Sequence, residues 1–184
     1  MFKNIIKRIS RKLREEEIDF VIVGGQAVLF YGEPRLTKDI DIILGVDINY
    51  LDKVLNSCME IGLTPIPKDI DNFVKRAFVL PMIDEESKVR VDFIFSFSPF
   101  EQRTIKRAKL IKIENVSVPF VSLEDLIVFK LFAGREKDLG DVRALLKKNK
   151  DFDENYLLQT LKEISDPEHD LLKKYRDIKG KLND

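Results

Sequence analysis

Two aspartates interrupt a short apolar run: in KDIDIIL, Asp39 and Asp41 alternate with Ile40 and Ile42. On a strand, residues i and i+2 share a face, roughly 6.5–7 Å apart at the backbone. Read as a strand, the run therefore turns Ile40 and Ile42 to a core and two like charges to the other side. Adjacent carboxylates at a partly buried edge repel one another, and a divalent cation removes that cost because both lean onto it.

A D-x-D pair alone is more often a solvated strand end, so its neighbours decide its meaning. A third acid, Asp92, stands in VRVDFIF between Val91 and Phe93 and alternates with them onto the opposite face. A single charge in such a run needs a ligand or a salt bridge. An arginine or lysine on a neighbouring strand is the competing partner. If the two strands pair, three carboxylates converge, enough for two hard cations roughly 3.5–4 Å apart, as in phosphoryl or nucleotidyl transfer. Before the D-x-D pair, VIVGGQAVLF reads as strand, Gly24–Gly25 turn and helix. Glycines allow a tight turn and expose backbone N–H groups where phosphate can sit. The pattern is neither a P-loop nor a G-x-G-x-x-G dinucleotide turn.

Composition limits the alternatives. The 184-residue chain is 44% hydrophobic and 35% charged, in the range of an ordinary globular protein with one substantial core. A single Cys58, read as a small core residue, excludes disulfides and a cysteine-cluster metal site, and the lone His169 cannot build a His-rich zinc site. Carboxylates must then hold any metal, which favours magnesium or manganese. No run approaches the ~20 apolar residues of a membrane span. The opening MFKNIIKRISRKLREEE has no continuous apolar stretch of a secretory signal, so a cytoplasmic location and no membrane partner are expected. Net charge is zero but uneven: +2 over residues 1–20, −4 over 21–100, +5 over 101–150 and −3 over 151–184. An anionic substrate beside a metal site suits that asymmetry, although solvated faces explain any one segment.

The elements read as follows. Phe2, Ile5, Ile6, Ile9 and Leu13 give an amphipathic helix over about 3–17, packed on the domain. FVIVGG and KDIDIIL are strands joined by a short helix in QAVLFYG, and NYLDKVLNSCMEIG is a helix with Leu51, Val54, Leu55 and Cys58 inward. FVKRAFVLP and KVRVDFIFSF are strands with MIDEESK as the hairpin connection. PFEQRTIKRAKLI is a helix with a basic face, and IENVSVPFV a short edge strand. Ser122 and Asp125 mark a capped helix start for LEDLIVFKLFAG, which ends at Gly134. KDLGDVRALLKK, DENYLLQTLKEI and PEHDLLKKYRDI are further helices. The fold class is α/β (α+β), a mixed twisted sheet flanked by helices: residues 1–120 form the core and 121–184 a C-terminal helical extension completing the cleft.

The series VGGQAVLFYG, RLTKDIDIIL and VRVDFIF resembles the nucleotidyltransferase superfamily with the DNA polymerase beta-type catalytic fold. Within it, the chain is similar to abortive-infection toxin-like nucleotidyltransferases, whose wording is GG-x-A-L, R-x-T-x-D-I-D and K-x-x-x-x-R-x-K-D. The matching residues are Gly24, Gly25 and Ala27; Arg35, Thr37, Asp39 and Asp41; and Lys130, Arg135, Lys137 and Asp138. The resemblance covers roughly residues 18–148. It implies that Gly24 and Gly25 hold the triphosphate, with Arg35, Thr37, Lys130 and Arg135 as further nucleotide contacts. It implies that Asp39, Asp41 and Asp92 ligate two Mg²⁺ or Mn²⁺ ions, that Asp92 helps deprotonate the acceptor, and that Lys130 and Asp138 belong to the active site. Many superfamily members carry Ser where Gly25 stands; glycine fits the toxin-like subgroup and weakens one phosphate contact without removing the backbone donors.

The residues themselves leave alternatives open. Lys130, in an apolar helix stretch, either snorkels or reaches an anion. Asp138 orients a neighbouring cation or caps the next helix; Lys137 and Asp141, four apart, suit a surface ion pair. Arg35 reaches phosphate or holds its loop through carbonyls. The implied reaction moves a nucleoside monophosphate from a nucleoside triphosphate to an acceptor hydroxyl on RNA, protein or a small molecule. The basic segment from Arg103 to Lys112 slightly favours RNA but lacks aromatic residues to stack bases. A cognate antitoxin is a further expected partner. Two other classes compete: an inactive nucleotide- or protein-binding module of a toxin–antitoxin-like pair, and a structural α/β protein whose carboxylates are salt-bridged.

Overall fold

The structure, a computed structural model, describes residues 1–32, 36–166 and 170–183. The chain forms two compact units, the first holding Met1–Gln26 and Leu36–Val121 and the second the remainder.

The first unit runs α1 (Phe2–Glu15), β1 (Phe20–Val23), the start of α2 (Gly24–Phe30), β2 (Asp39–Leu44), α3 (Leu51–Glu60), β3 (Leu63–Pro65), α4 (Ile70–Ala77), β4 (Val79–Asp84), β5 (Arg90–Phe95), α5 (Pro99–Lys106), β6 (Lys109–Ile113) and β7 (Val116–Phe120). Its strands make one sheet in the order β3-β4-β5-β2-β1-β7-β6. β2 runs parallel to β5 and β1 to β7, while the other pairs are antiparallel, so the sheet is mixed as expected. The right-handed twist of such strands follows from backbone sterics. α1 buries Ile5, Ile6, Ile9 and Leu13, the spacing read from the sequence, and packs on β7 and α3. Much of its basic face is engaged within the fold: Lys7 pairs with Glu114 at 2.7 Å, Lys12 with Glu16 and Glu60 at 2.8 and 2.6 Å, and Arg8 with the buried Asp84. Among the described residues, no helix is long and apolar enough to cross a membrane.

Four local readings need correction. FVKRAFVLP is half helix: Asp69 caps α4 by accepting from the Asn72 amide at 3.2 Å, and Phe78, at φ +55°, closes it before β4 begins. The aromatic and β-branched residues there imitate a strand, but only Val74 of the helix is buried. MIDEESK is not all connection, since Met82, Ile83 and Asp84 complete β4. The helix at PFEQRTIKRAKLI stops at Lys106 and KLIKI becomes β6, which turns back at Glu114–Asn115, with Glu114 at φ +54°, to pair with β7. That added strand takes the sheet edge, so β7 is interior, between β1 and β6. The three-residue β3 went unread because so short a run has no periodicity.

The second unit contains the rest of α2 with α6 (Leu123–Ala133), α7 (Glu136–Lys148), α8 (Glu154–Ile164) and α9 (Leu171–Asn183). α6 packs against the three helices that follow it, burying Leu123, Leu126, Ile127, Val128 and Leu131. A helix apolar on nearly every side has to be surrounded in this way. Its start and end are those predicted: the Asp125 amide donates to Ser122 Oγ at 3.2 Å, and Gly134 closes it at φ +64°.

Candidate active site

The site begins with register. Parallel pairing of β2 and β5 sets Asp41 opposite Asp92 and Asp39 opposite Arg90. Ile40, Ile42, Val91 and Phe93 are fully buried, so strand alternation turns the acidic residues to the other face together. Asp39, Asp41 and Asp92 are each half-buried, and each offers a carboxylate oxygen within 4.8 Å of the others. Three hard oxygen donors at that spacing suit one divalent cation such as Mg²⁺ or Mn²⁺, the metals the composition favoured.

Gly24 makes room for this cluster. It follows Val23, which pairs with Asp41 across the β1–β2 ladder, and its φ is +62°. A Cβ on Gly24 would lie 1.8 Å from Asp41 Oδ2, so the Asp41 carboxylate occupies the space a side chain needs. Gly24→Ala is therefore expected to lower stability by about 1–3 kcal/mol and to displace Asp41. A urea midpoint shift at unchanged m-value, together with lost metal binding, checks this. Asp39 is anchored separately: the Thr37 hydroxyl lies 3.2 Å from both its carbonyl oxygen and its Oδ1, and Gln26 Nε2 donates to the carbonyl at 3.5 Å. Thr37 thus fixes the Asp39 backbone and carboxylate. Arg35 lies outside the described residues.

The salt bridge that the sequence left open for Asp92 is present, but its donor is on the same strand. Arg90 Nε donates to Asp92 Oδ1 at 2.8 Å and to Oδ2 at 3.1 Å. The hydrogen bond to Asp92, and then the charges of Asp92, Asp39 and Asp41, push the guanidinium above its ordinary value against a partial burial cost. The sequence signal for this pair is R-x-D at strand spacing, which sets Arg90 and Asp92 on one face of β5.

Residues 1–179 match the family described as "Nucleotidyltransferase of unknown function (DUF6036)". The chain belongs to this family. No curated protein matches it in sequence. Among solved structures, it resembles an antigenic nucleotidyltransferase-like protein from Paracoccidioides brasiliensis, with TM-score 0.60 and 18% identity over 98% of this chain and 91% of that one. It also resembles ANT(2'')-Ia in complex with adenylyl-2"-tobramycin, with TM-score 0.56 and 13% identity over 97% of each chain. A putative nucleotidyltransferase from Thermotoga maritima gives TM-score 0.54 and 16% identity over 80% of this chain and 94% of that one. The fold is that of the polymerase beta-type nucleotidyltransferases, and the acidic triad gives this family member catalytic potential.

In this DUF6036 member, the remaining candidate residues form a cluster inside the helical unit. Lys130, 6% exposed, neither snorkels nor stays unpaired: its ammonium lies 2.9 Å from Asp138 Oδ1 and 2.9 Å from Asp141 Oδ2. Asp141, expected in a surface pair with Lys137, thus bonds the buried lysine, and Lys137 itself is exposed. Arg135 Nε donates to Asp138 Oδ2 at 2.5 Å. Asp138 therefore orients two cations from the first turn of α7. Burial tends to raise its carboxyl, but the hydrogen bonds from Arg135 and Lys130 prevail and hold it below the usual carboxylate range. Cys58 is buried, which pushes its thiol up to about 12 and leaves it unreactive.

Proposed function

We propose that the chain is a metal-dependent nucleotidyltransferase that moves a nucleoside monophosphate from a nucleoside triphosphate to an acceptor hydroxyl, releasing pyrophosphate. The observation that carries this reading is the convergence of Asp39, Asp41 and Asp92 within 4.8 Å beside the Gly24 turn, in a chain of this family. Two bound Mg²⁺ or Mn²⁺ ions would supply Lewis-acid stabilisation of the transferring phosphoryl group and a lowered acceptor pKa. Asp39, Asp41 and Asp92 would hold the ions, and Asp92 would help take up the acceptor proton. Backbone N–H groups of Gly24 and Gly25 would meet the triphosphate, with Thr37 as a side-chain contact; Arg35, given the same role by the resemblance, lies outside the described residues. Asp138, which also bonds Lys130, holds Arg135, whose guanidinium is the exposed cation of that cluster and suits an anionic group.

The Gly24–Gly25 pair and the Lys130 to Asp138 spacing support a place near the abortive-infection toxin-like branch. The inactive-module reading is weaker, because a degenerate member has no need to keep all three acids in ligating geometry. For the acceptor, ANT(2'')-Ia bound to an adenylylated tobramycin puts a small-molecule hydroxyl beside RNA and protein as a class to test. The experiment incubates the protein with Mg²⁺ and each α-labelled triphosphate against total RNA, total protein and a set of small polyhydroxyl compounds. Label entering one pool, with matching pyrophosphate release, is expected. No label from any of the four triphosphates overturns the proposal.

A further inference from the structure

Asp39 and Asp41 on β2, with Arg90 and Asp92 on β5, occupy two alternate register pairs and form a two-by-two block on one face of the sheet. Three corners are negative and one is positive. Arg90 Nε contacts both Asp92 oxygens, at 2.8 and 3.1 Å, and these are the atoms a metal needs. The Arg90 side chain is 52% exposed against 16% for Asp92, so it can swing into solvent while the carboxylate stays in place.

We propose that Arg90 is a built-in counter-cation that occupies Asp92 in the metal-free protein and must be displaced before Asp92 can ligate a divalent ion. This rests on the metal-site reading above. Free metal is then taken up weakly, because each binding event breaks a charge-assisted bond that metal-free protein already has. Once displaced, the guanidinium stands beside the loaded site as a positive group for an anionic substrate.

The test uses the full chain and Mn²⁺ alone, with affinity measured by calorimetry for wild type, Arg90→Gln, Arg90→Lys and Asp41→Asn. Arg90→Gln should bind Mn²⁺ about three- to tenfold more tightly than wild type, the range of a partly exposed, charge-assisted pair. Arg90→Lys keeps the charge but loses the fixed fork, and should fall between them. A charge effect alone also tightens Arg90→Gln, so a second readout is needed. In ¹⁵N spectra, the Arg90 Nε–H signal should be protected without metal, then shift and exchange faster with water as Mg²⁺ is added. Equal Mn²⁺ affinity in wild type and Arg90→Gln, or an Arg90 signal unmoved at saturating Mg²⁺, overturns the proposal. If Asp41→Asn then still abolishes Mn²⁺ binding, the metal site stands without Arg90's role. If wild type and Arg90→Gln both fail to bind Mn²⁺, the metal reading fails and this proposal with it.

Discussion

Asp41→Asn should lower nucleotidyl transfer about a thousandfold or more without loss of the fold. Asp41 is the centre of the cluster: it pairs in register with Val23 on one side and Asp92 on the other, and its carboxylate fills the space beside Gly24. The asparagine side chain has the same shape, so Gly24 still accommodates it, but the amide is a poorer ligand for a hard cation. A thousandfold corresponds to about 4 kcal/mol of lost transition-state stabilisation, within what a Lewis acid supplies. Removing one of three like charges relieves repulsion, so the metal-free melting temperature should hold or rise. Label-transfer rates and a melting curve measured without metal check both halves. A variant that unfolds, or one that retains more than a tenth of the activity, contradicts the assignment.

Lys130→Met should cost about 3 kcal/mol of stability, the low end of what removing one partner of a buried ion pair costs. Asp138 is fully buried and Asp141 nearly so, and both face the Lys130 ammonium. Arg135 still bonds Asp138, which limits the loss. Adding Asp138→Asn to the same chain should recover part of it, since the buried charge that lost one of its two cations is then gone. The pH dependence has a definite sign. Asp138 has a folded pKa depressed below its unfolded value near 4, so its contribution is present above about pH 4 and is lost as pH falls through the folded value. The gap between wild type and Lys130→Met should therefore narrow below about pH 4. Urea midpoints at pH 7 and pH 3.5 measure it.

Much of the site's own strand pair was legible in the residues, because alternation is a local property. Ile40 and Ile42 inward, Asp39 and Asp41 outward, follows from spacing two, and the same rule placed Asp92. That these strands are neighbours was conditional, because register between β2 and β5 depends on residues fifty positions apart. Gly24's role was half visible: a turn needing positive φ is readable, but the approach of Asp41 to its α-carbon is tertiary. The failures lie where local signals conflict. Phe73 to Phe78 has strand-like residues, yet an aspartate cap and a left-handed Phe78 make it a helix end. Lys109 to Ile111 continue a basic helix by composition, and only pairing with β7 makes them part of a strand. Lys130 was flagged as anomalous in an apolar helix, but its two partners on α7 required the packing of α6 against α7.

The central claim, that Asp39, Asp41 and Asp92 hold a divalent cation, is tested most directly by the melting temperature of the whole chain with and without Mg²⁺ or Mn²⁺. At a hundred times the dissociation constant, one bound ion stabilises by about 2.7 kcal/mol, which for a chain of this size raises the midpoint by about 5–10 °C. That rise is expected in wild type, and its disappearance in Asp39→Asn, Asp41→Asn and Asp92→Asn. No shift in wild type at millimolar metal, with or without a triphosphate, or an equal shift in all three variants, would contradict it.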